Sequence, residues 1–289
     1  MQIEKASEMG FCTGVRRAID ILERTAQKLG PLETLGPVVH NQQVVDRLAL
    51  AGIRVAESLD QLQGNVLAIS SHGVGLEVRE DIERRGLKVI DTTCPFVRRA
   101  QLAARRLADA GFFVIVFGEE SHPEVQGVLG WTRGKGVATL ALPKFDRLPR
   151  RIGILSQTTQ SFAGFARFVA DLVQSDLIAF SELRVVNTVC DATRKRQQAA
   201  LELAKRVDVM VVVGGRTSAN TRRLAEICSS VGVNTHQIET AAEIDPAWLR
   251  DHFRVGVTAG ASTPDYVIDE VVAKLKHLGQ QKGGNRGAG

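Results

Sequence analysis

Aromatic side chains are scarce in this chain of 289 residues: one Tyr, two Trp and eleven Phe make up 5% of it. Proteins that grip single-stranded nucleic acid stack bases on aromatics set among basic residues, so this composition speaks against a nucleic-acid partner. Long apolar runs are missing too. The greasiest stretches, Phe112–Phe117 and Val209–Val213, have the length of a strand, well short of the roughly 18 residues that a membrane span needs. The opening MQIEKASEMGFC has no apolar core of the signal-peptide kind. A cytoplasmic protein with no membrane association is expected. Charge of one sign is in small excess, a net +5, scattered over short clusters such as Arg16-Arg17, Arg98-Arg99 and Arg194-Lys195-Arg196. That suits a pocket for an anionic small molecule or an acidic protein partner. Cysteine is rare: four residues, at 12, 94, 190 and 228, with no CxxC pair. The spacing excludes a compact zinc ribbon, and a reducing compartment argues against a disulfide framework.

What the chain does have is a threefold internal repeat. Each of the first three cysteines ends a strand-like segment and opens an amphipathic helical pattern, in Cys12-TGVRRAIDIL, Cys94-PFVRRAQLAA and Cys190-DATRKRQQAA. An arginine follows four residues later in each case: Arg16, Arg98 and Arg194. A second strand-like segment comes next (LETLG, FFVIVFG, DVMVVVGG), then a polar turn that starts another helix at His40, His122 or Ser218. The distance from Cys12 to His40, from Cys94 to His122 and from Cys190 to Ser218 is 28 residues each time. A third strand then ends in a polar turn: VLAIS-SHG, GILS-QTT, VGVTAG-AST. Such self-similarity predicts three β–α–β–α–β units with parallel sheets and helices on their faces. The expected lobes are 12–94, 95–189 and 190–278, with residues 1–11 completing the third sheet and a flexible Gly-rich tail at 279–289.

Ligands of open parallel sheets sit beyond the carboxyl ends of the strands. The three cysteines, His40, His72, His122, the Gln157-Thr158-Thr159 turn, Ser218 and Ser262 all fall at such ends. If equivalent lobes face one centre, three thiolates meet there. Thiolate-only ligation at scattered positions favours an iron–sulfur cluster over zinc, and three ligands for four irons leave one iron open as a Lewis-acid and redox site. Cys228, mid-helix in LAEICSSVG, reads as packing.

Together these residues resemble the 4-hydroxy-3-methylbut-2-enyl diphosphate reductases, the last enzymes of the methylerythritol phosphate (MEP) route to isoprenoids. The matching motifs are GFCTGVRRAI (10–19), GPVVHNQQVVDRL (36–48), SSHGV (70–74), DTTCP (91–95), SHPEVQG (121–127), SQTTQS (156–161), NTVCDATRKRQ (187–197), GGRTSANTRRLAE (214–226) and TAGASTPD (258–265). The resemblance implies an α/β trefoil: three pseudo-threefold-related lobes around a central cavity. That cavity would hold one [4Fe–4S] cluster on Cys12, Cys94 and Cys190, with one open iron site. It further implies reductive loss of the substrate's allylic hydroxyl as water, giving isopentenyl and dimethylallyl diphosphate, with ferredoxin or flavodoxin as electron donor. A monomer or a homodimer would serve equally.

The same resemblance places His40 and His72 on the diphosphate and has His122 line the pocket with a part in proton supply. Imidazolium, hydroxyl and amide donors suit such an anion, and a neighbouring diphosphate favours the charged imidazole. Ser218, Asn220 and Ser262 would add donors, although Ser and Asn are also the usual helix N-caps. The chain reads Ser218-Ala219-Asn220 where the family pattern is often Ser-Ser-Asn, so one hydroxyl is lost. Glu124 is the expected proton donor, because breaking the C–O bond needs a proton and a carboxyl beside a dry cavity can hold one; an acidic residue just after Pro123 is also a routine helix start. Thr158 would orient Glu124 or the substrate hydroxyl, with Gln157 and Thr159 as alternatives. The arginines after the cysteines read as solvated helix faces, as ion-pairing groups between lobes or as a rim for an acidic redox partner. Two other classes compete. A nucleotide- or sugar-phosphate-binding protein would use VMVVVGGRTSAN as its phosphate turn, but the full GxGxxG fingerprint is missing. A thiol hydrolase would need only one Cys–His pair and leaves the other two repeat-equivalent cysteines unexplained.

Overall fold

The computed structural model describes residues 1–143, 149–176, 181–249 and 254–284. After β1 (Gln2–Lys5) the chain repeats one order of elements three times. The first pass is α1 (Thr13–Leu29), β2 (Leu32–Leu35), α2 (Gln42–Leu50), β3 (Ile53–Ala56), β4 (Val66–Ile69), α3 (Leu76–Arg84) and β5 (Lys88–Asp91). The second is α4 (Pro95–Asp109), β6 (Phe113–Phe117), α5 (Pro123–Leu129), β7 (Gly136–Thr139), β8 (Arg151–Ser156), α6 (Phe162–Asp176) and β9 (Glu182–Val186). The third is α7 (Asp191–Ala204), β10 (Val209–Val213), α8 (Ala219–Ser229), β11 (Asn234–Ile238), β12 (Arg254–Ala259) and α9 (Asp265–Gly284), with β1 supplying the last strand.

The strands form three four-stranded sheets with the same order, β3-β2-β4-β5, β7-β6-β8-β9 and β11-β10-β12-β1. All pairings are parallel, including β1 on β12 with Gln2 opposite Arg254. Parallel strands are covered on both faces, which is why the central ones are almost wholly apolar. In β10, Val209, Val211 and Val213 join the core formed with α9, while Met210 and Val212 join the one formed with α7 and α8. In β6, Val114 and Val116 face α4 and α5, and Ile115 and Phe117 face α6. The period of two along each strand thus feeds two separate cores.

Two features differ from the repeat expected. Each sheet carries an extra edge strand, β3, β7 or β11, beyond the three that the sequence pattern predicts. These edges are partly exposed, with sequences such as NTHQI, and a strand with a neighbour on one side only has no need of a continuous apolar run. Helix α9 runs on to Gly284, into the stretch expected as a flexible tail; 285–289 lie outside the described residues.

The chain divides into two compact units. One comprises Met1–Thr13, His40–Val44 and Asp191–Gly289 and holds the third sheet; the other comprises Gly14–Val39 and Val45–Cys190 and holds the first two. Within the latter unit the loop before α3 meets the end of α5 glycine on glycine: a Cβ added at Gly130 would lie 2.6 Å from the Cα of Gly75. Among the described residues no helix is long and apolar enough to cross a membrane.

Candidate functional site

Each of the three repeat cysteines stands immediately before a helix, α1, α4 or α7, and just after the last strand of a sheet. In each case its backbone N–H donates to the carbonyl two residues beyond the adjacent strand: Cys12 to Ala261 (3.1 Å), Cys94 to Ser71 (3.0 Å) and Cys190 to Thr158 (3.0 Å). One turn is therefore built three times, with the start of a helix behind the cysteine, a setting that suits an anionic sulfur ligand. All three are partly exposed and outside any disulfide. Cys228 contrasts with them: it is buried among Ala200, Leu203 and Leu224, and burial pushes its thiol up to about 12.

In the larger unit, Glu124 lies in the first turn of α5 and is 2% exposed. Its carboxylate accepts the Thr158 backbone N–H at 2.6 Å and the Thr158 hydroxyl at 2.8 Å. Burial pushes the carboxyl up to about 7, against the downward pull of those two bonds. Of the three turn residues left open by the sequence, Thr158 is the one bonded to Glu124. Gln157 instead accepts the Glu119 N–H through Oε1, and the Thr159 hydroxyl is buried without a hydrogen-bond partner. His122 caps α5, its Nδ1 accepting the Glu124 N–H at 3.1 Å. In this cap it is Nδ1 that faces the start of α5, which leaves Nε2 as the ring nitrogen not engaged by the cap. The His72 ring meets that of His122 edge-on with centroids 5.5 Å apart. A groove of about 610 Å³ opens beside them, lined among others by Leu35, Pro37, Ser70, His72 and Pro123. It lies at the carboxyl ends of β2 and β4, where the order of the first sheet reverses.

In the other unit, Ser218 caps α8 by accepting the Thr221 N–H at 3.4 Å. Asn220 accepts the Ala261 N–H through Oδ1 at 2.9 Å, and its Nδ2 is buried with no hydrogen-bond partner. Ser262 donates to the His40 carbonyl at 3.4 Å. Gly215 presses on that same carbonyl, since a Cβ there would come within 2.3 Å of its oxygen. Ser218, Asn220, Ser262 and the His40 backbone are thus held about one helix start, where free N–H groups gather.

The arginines after the cysteines do not share one role. Arg194 pairs locally with Asp191 at 3.3 Å on an exposed face. Arg98 is drawn in, bonded to Asp91 and lying 5.5 Å from the centroid of the Trp131 ring. Asp91, Gln101 and Trp131, none of them a candidate from the sequence, belong with it. The acid in DTTC and a glutamine on an otherwise apolar helix face were the signals available.

The LytB protein family matches residues 3–276. A 4-hydroxy-3-methylbut-2-enyl diphosphate reductase of Dehalococcoides mccartyi (strain CBDB1) is 52% identical over 281 residues, 96% of this chain and 99% of that protein. One from Geobacter metallireducens is 44% identical over 284 residues, covering 98% and 99%. A solved structure of (E)-4-hydroxy-3-methyl-but-2-enyl diphosphate reductase, described as the terminal enzyme of the non-mevalonate pathway, matches with a TM-score of 0.69 and 38% identity over 96% of this chain and all of that one. The E-1-hydroxy-2-methyl-but-2-enyl-4-diphosphate reductase from Plasmodium falciparum matches with a TM-score of 0.88 and 25% identity, over 94% of this chain and 87% of that one.

Proposed function

This chain belongs to the LytB family and is an oxidoreductase, and from that premise we propose that it reduces (E)-4-hydroxy-3-methylbut-2-enyl diphosphate to isopentenyl and dimethylallyl diphosphate in the MEP pathway. The allylic C–O bond breaks, two electrons and two protons enter, and the oxygen leaves as water. One proton goes to that oxygen and the other to one end of the allyl unit, which accounts for two isomeric products. One-electron carriers of the ferredoxin or flavodoxin type would deliver the electrons in two steps.

The observation that carries the reading is the cysteine turn repeated at Cys12, Cys94 and Cys190. Three thiols outside any disulfide, each at a helix start, fit a [4Fe–4S] cluster, whereas Cys228 belongs to a core. When bound, the cluster would supply electrons and one iron free of cysteine to take the hydroxyl. Glu124 would hold the proton for the leaving oxygen, since its carboxyl titrates near neutrality. Thr158 would fix that carboxyl through two hydrogen bonds. His122, which caps the same helix and meets the His72 ring, would line the pocket and take part in proton supply. His40, His72, Ser218, Asn220 and Ser262 would bind the diphosphate, and the buried Nδ2 of Asn220 supports this because it has no hydrogen-bond partner among the described residues.

Purification without oxygen tests the reading. A brown protein with about four irons and four acid-labile sulfides per chain, turning over the allylic diphosphate with a one-electron reductant, is the expected result. A colourless, iron-free protein that is active as a hydrolase, or that is stabilised by mononucleotides, would overturn it.

A further inference from the structure

Cys94 and His72 stand just beyond adjacent strands, β5 and β4, which pair in parallel with Ile69 opposite Asp91. A chain of polar contacts ties the two turns together. Asp91 accepts the Thr93 N–H through Oδ1 at 3.0 Å, bracing the residue before Cys94. Its Oδ2 accepts from Arg79 of α3 at 2.9 Å and from Arg98 of α4. Arg98 donates through Nη1 to Oε1 of Gln101 at 3.1 Å. With its oxygen held there, the Gln101 amide turns Nε2 to the Val74 carbonyl at 3.3 Å. That carbonyl also accepts the indole N–H of Trp131 at 3.0 Å.

Gln101 is fully buried on a face of α4 whose other members, Ala100, Ala104 and Leu107, are apolar. A buried amide costs stability unless it is bonded, so its presence there calls for a function. Its head packs against the loop that carries His72: a Cβ at Gly73, which has φ +69°, would lie 2.5 Å from Gln101 Nε2. The left-handed turn at Gly73 and the amide on α4 are therefore fitted to each other. We propose that Gln101 is a positioning residue that sets His72 for the diphosphate by locking the 73–74 backbone to the helix that begins at Cys94. This rests on the reading of His72 as a diphosphate ligand.

The test uses holoenzyme prepared without oxygen and a mutant cycle of Gln101→Leu with His72→Ala. Gln101→Leu is expected to raise KM for the allylic diphosphate roughly tenfold with kcat changed less than about twofold and iron content intact, the pattern of lost ground-state binding. Gln101→Glu keeps the bond from Arg98 but no longer donates to Val74, and should show the same rise. In the His72→Ala background the leucine substitution should add almost nothing, which a general packing defect would not produce. Amide exchange over residues 72–75 should also quicken about tenfold in Gln101→Leu. A full KM effect without His72, an unchanged KM, unchanged exchange or a loss of iron would each overturn the proposal. Should the leucine variant fail to fold, Gln101→Glu and Trp131→Phe carry the same test. If the parent enzyme does not turn over the substrate, the proposed reaction fails, and exchange alone then decides whether Gln101 holds the loop.

Discussion

Glu124 is a carboxyl on which two opposing influences act. Burial favours the proton and the two hydrogen bonds from Thr158 favour the ion; burial prevails and the group titrates at about 7. If Glu124 delivers its proton to the leaving oxygen, turnover holds below that pH and falls as pH rises through it. Thr158→Val removes one bond that favours the ion, so the falling limb of the pH–rate profile should move to higher pH, while Glu124→Gln should bind substrate and lose turnover by roughly 10²–10⁴-fold. Stability follows the same linkage. The folded protein holds this proton above the ordinary carboxylate range, so ionising it in place costs roughly 3 kcal/mol as pH climbs from about 4.5 to about 7. Glu124→Gln removes that cost. Its Tm should exceed that of the parent at about pH 8, and the difference should close near pH 4.5. Glu124 is legible in the sequence but its partner is one of three in the turn opposite, because Glu124 and Thr158 are 34 residues apart and only the approach of the turn after β8 to Glu124 selects one.

Among elements, the α5 end and the loop before α3 depend on a contact that no side chain mediates. Gly130→Ala would drive a Cβ to 2.6 Å from the Gly75 backbone, and over-packing of this kind costs about 1–3 kcal/mol. The loop that bears His72 and the helix that bears Glu124 are the parts displaced, so this variant should lose substrate affinity along with Tm, measurable by titration and thermal melting. Helix starts were well signalled by proline and cysteine at α4 and by His122-Pro123 at α5, since caps act over a few residues. Edge strands were poorly signalled. In β3 the two middle residues face solvent and the outer two are buried, so neither a period of two nor an apolar run marks it.

Over the whole molecule, one turn recurs three times and the cysteines differ accordingly. Cys94→Ser should deplete the iron and abolish turnover while the far-ultraviolet dichroism stays that of the parent, because the sulfur takes no part in a core. Cys228→Ser places a hydroxyl among Ala200, Leu203 and Leu224; it should lower Tm by several degrees with iron content unchanged. Loss of iron from the second variant and its retention in the first would reverse the assignment.

The amino-acid sequence alone determined the repeat, the positions of its apolar strands and the residue types at their carboxyl ends, because strand period, helix caps and turn chemistry all operate within a few residues. Tertiary structure decided which carboxyl is dry, which threonine holds it, which nitrogen of His122 accepts, and how Gln101 comes to serve the loop of His72. Burial and hydrogen bonds across tens of residues depend on which surfaces pack together, and that is settled only when the elements assemble.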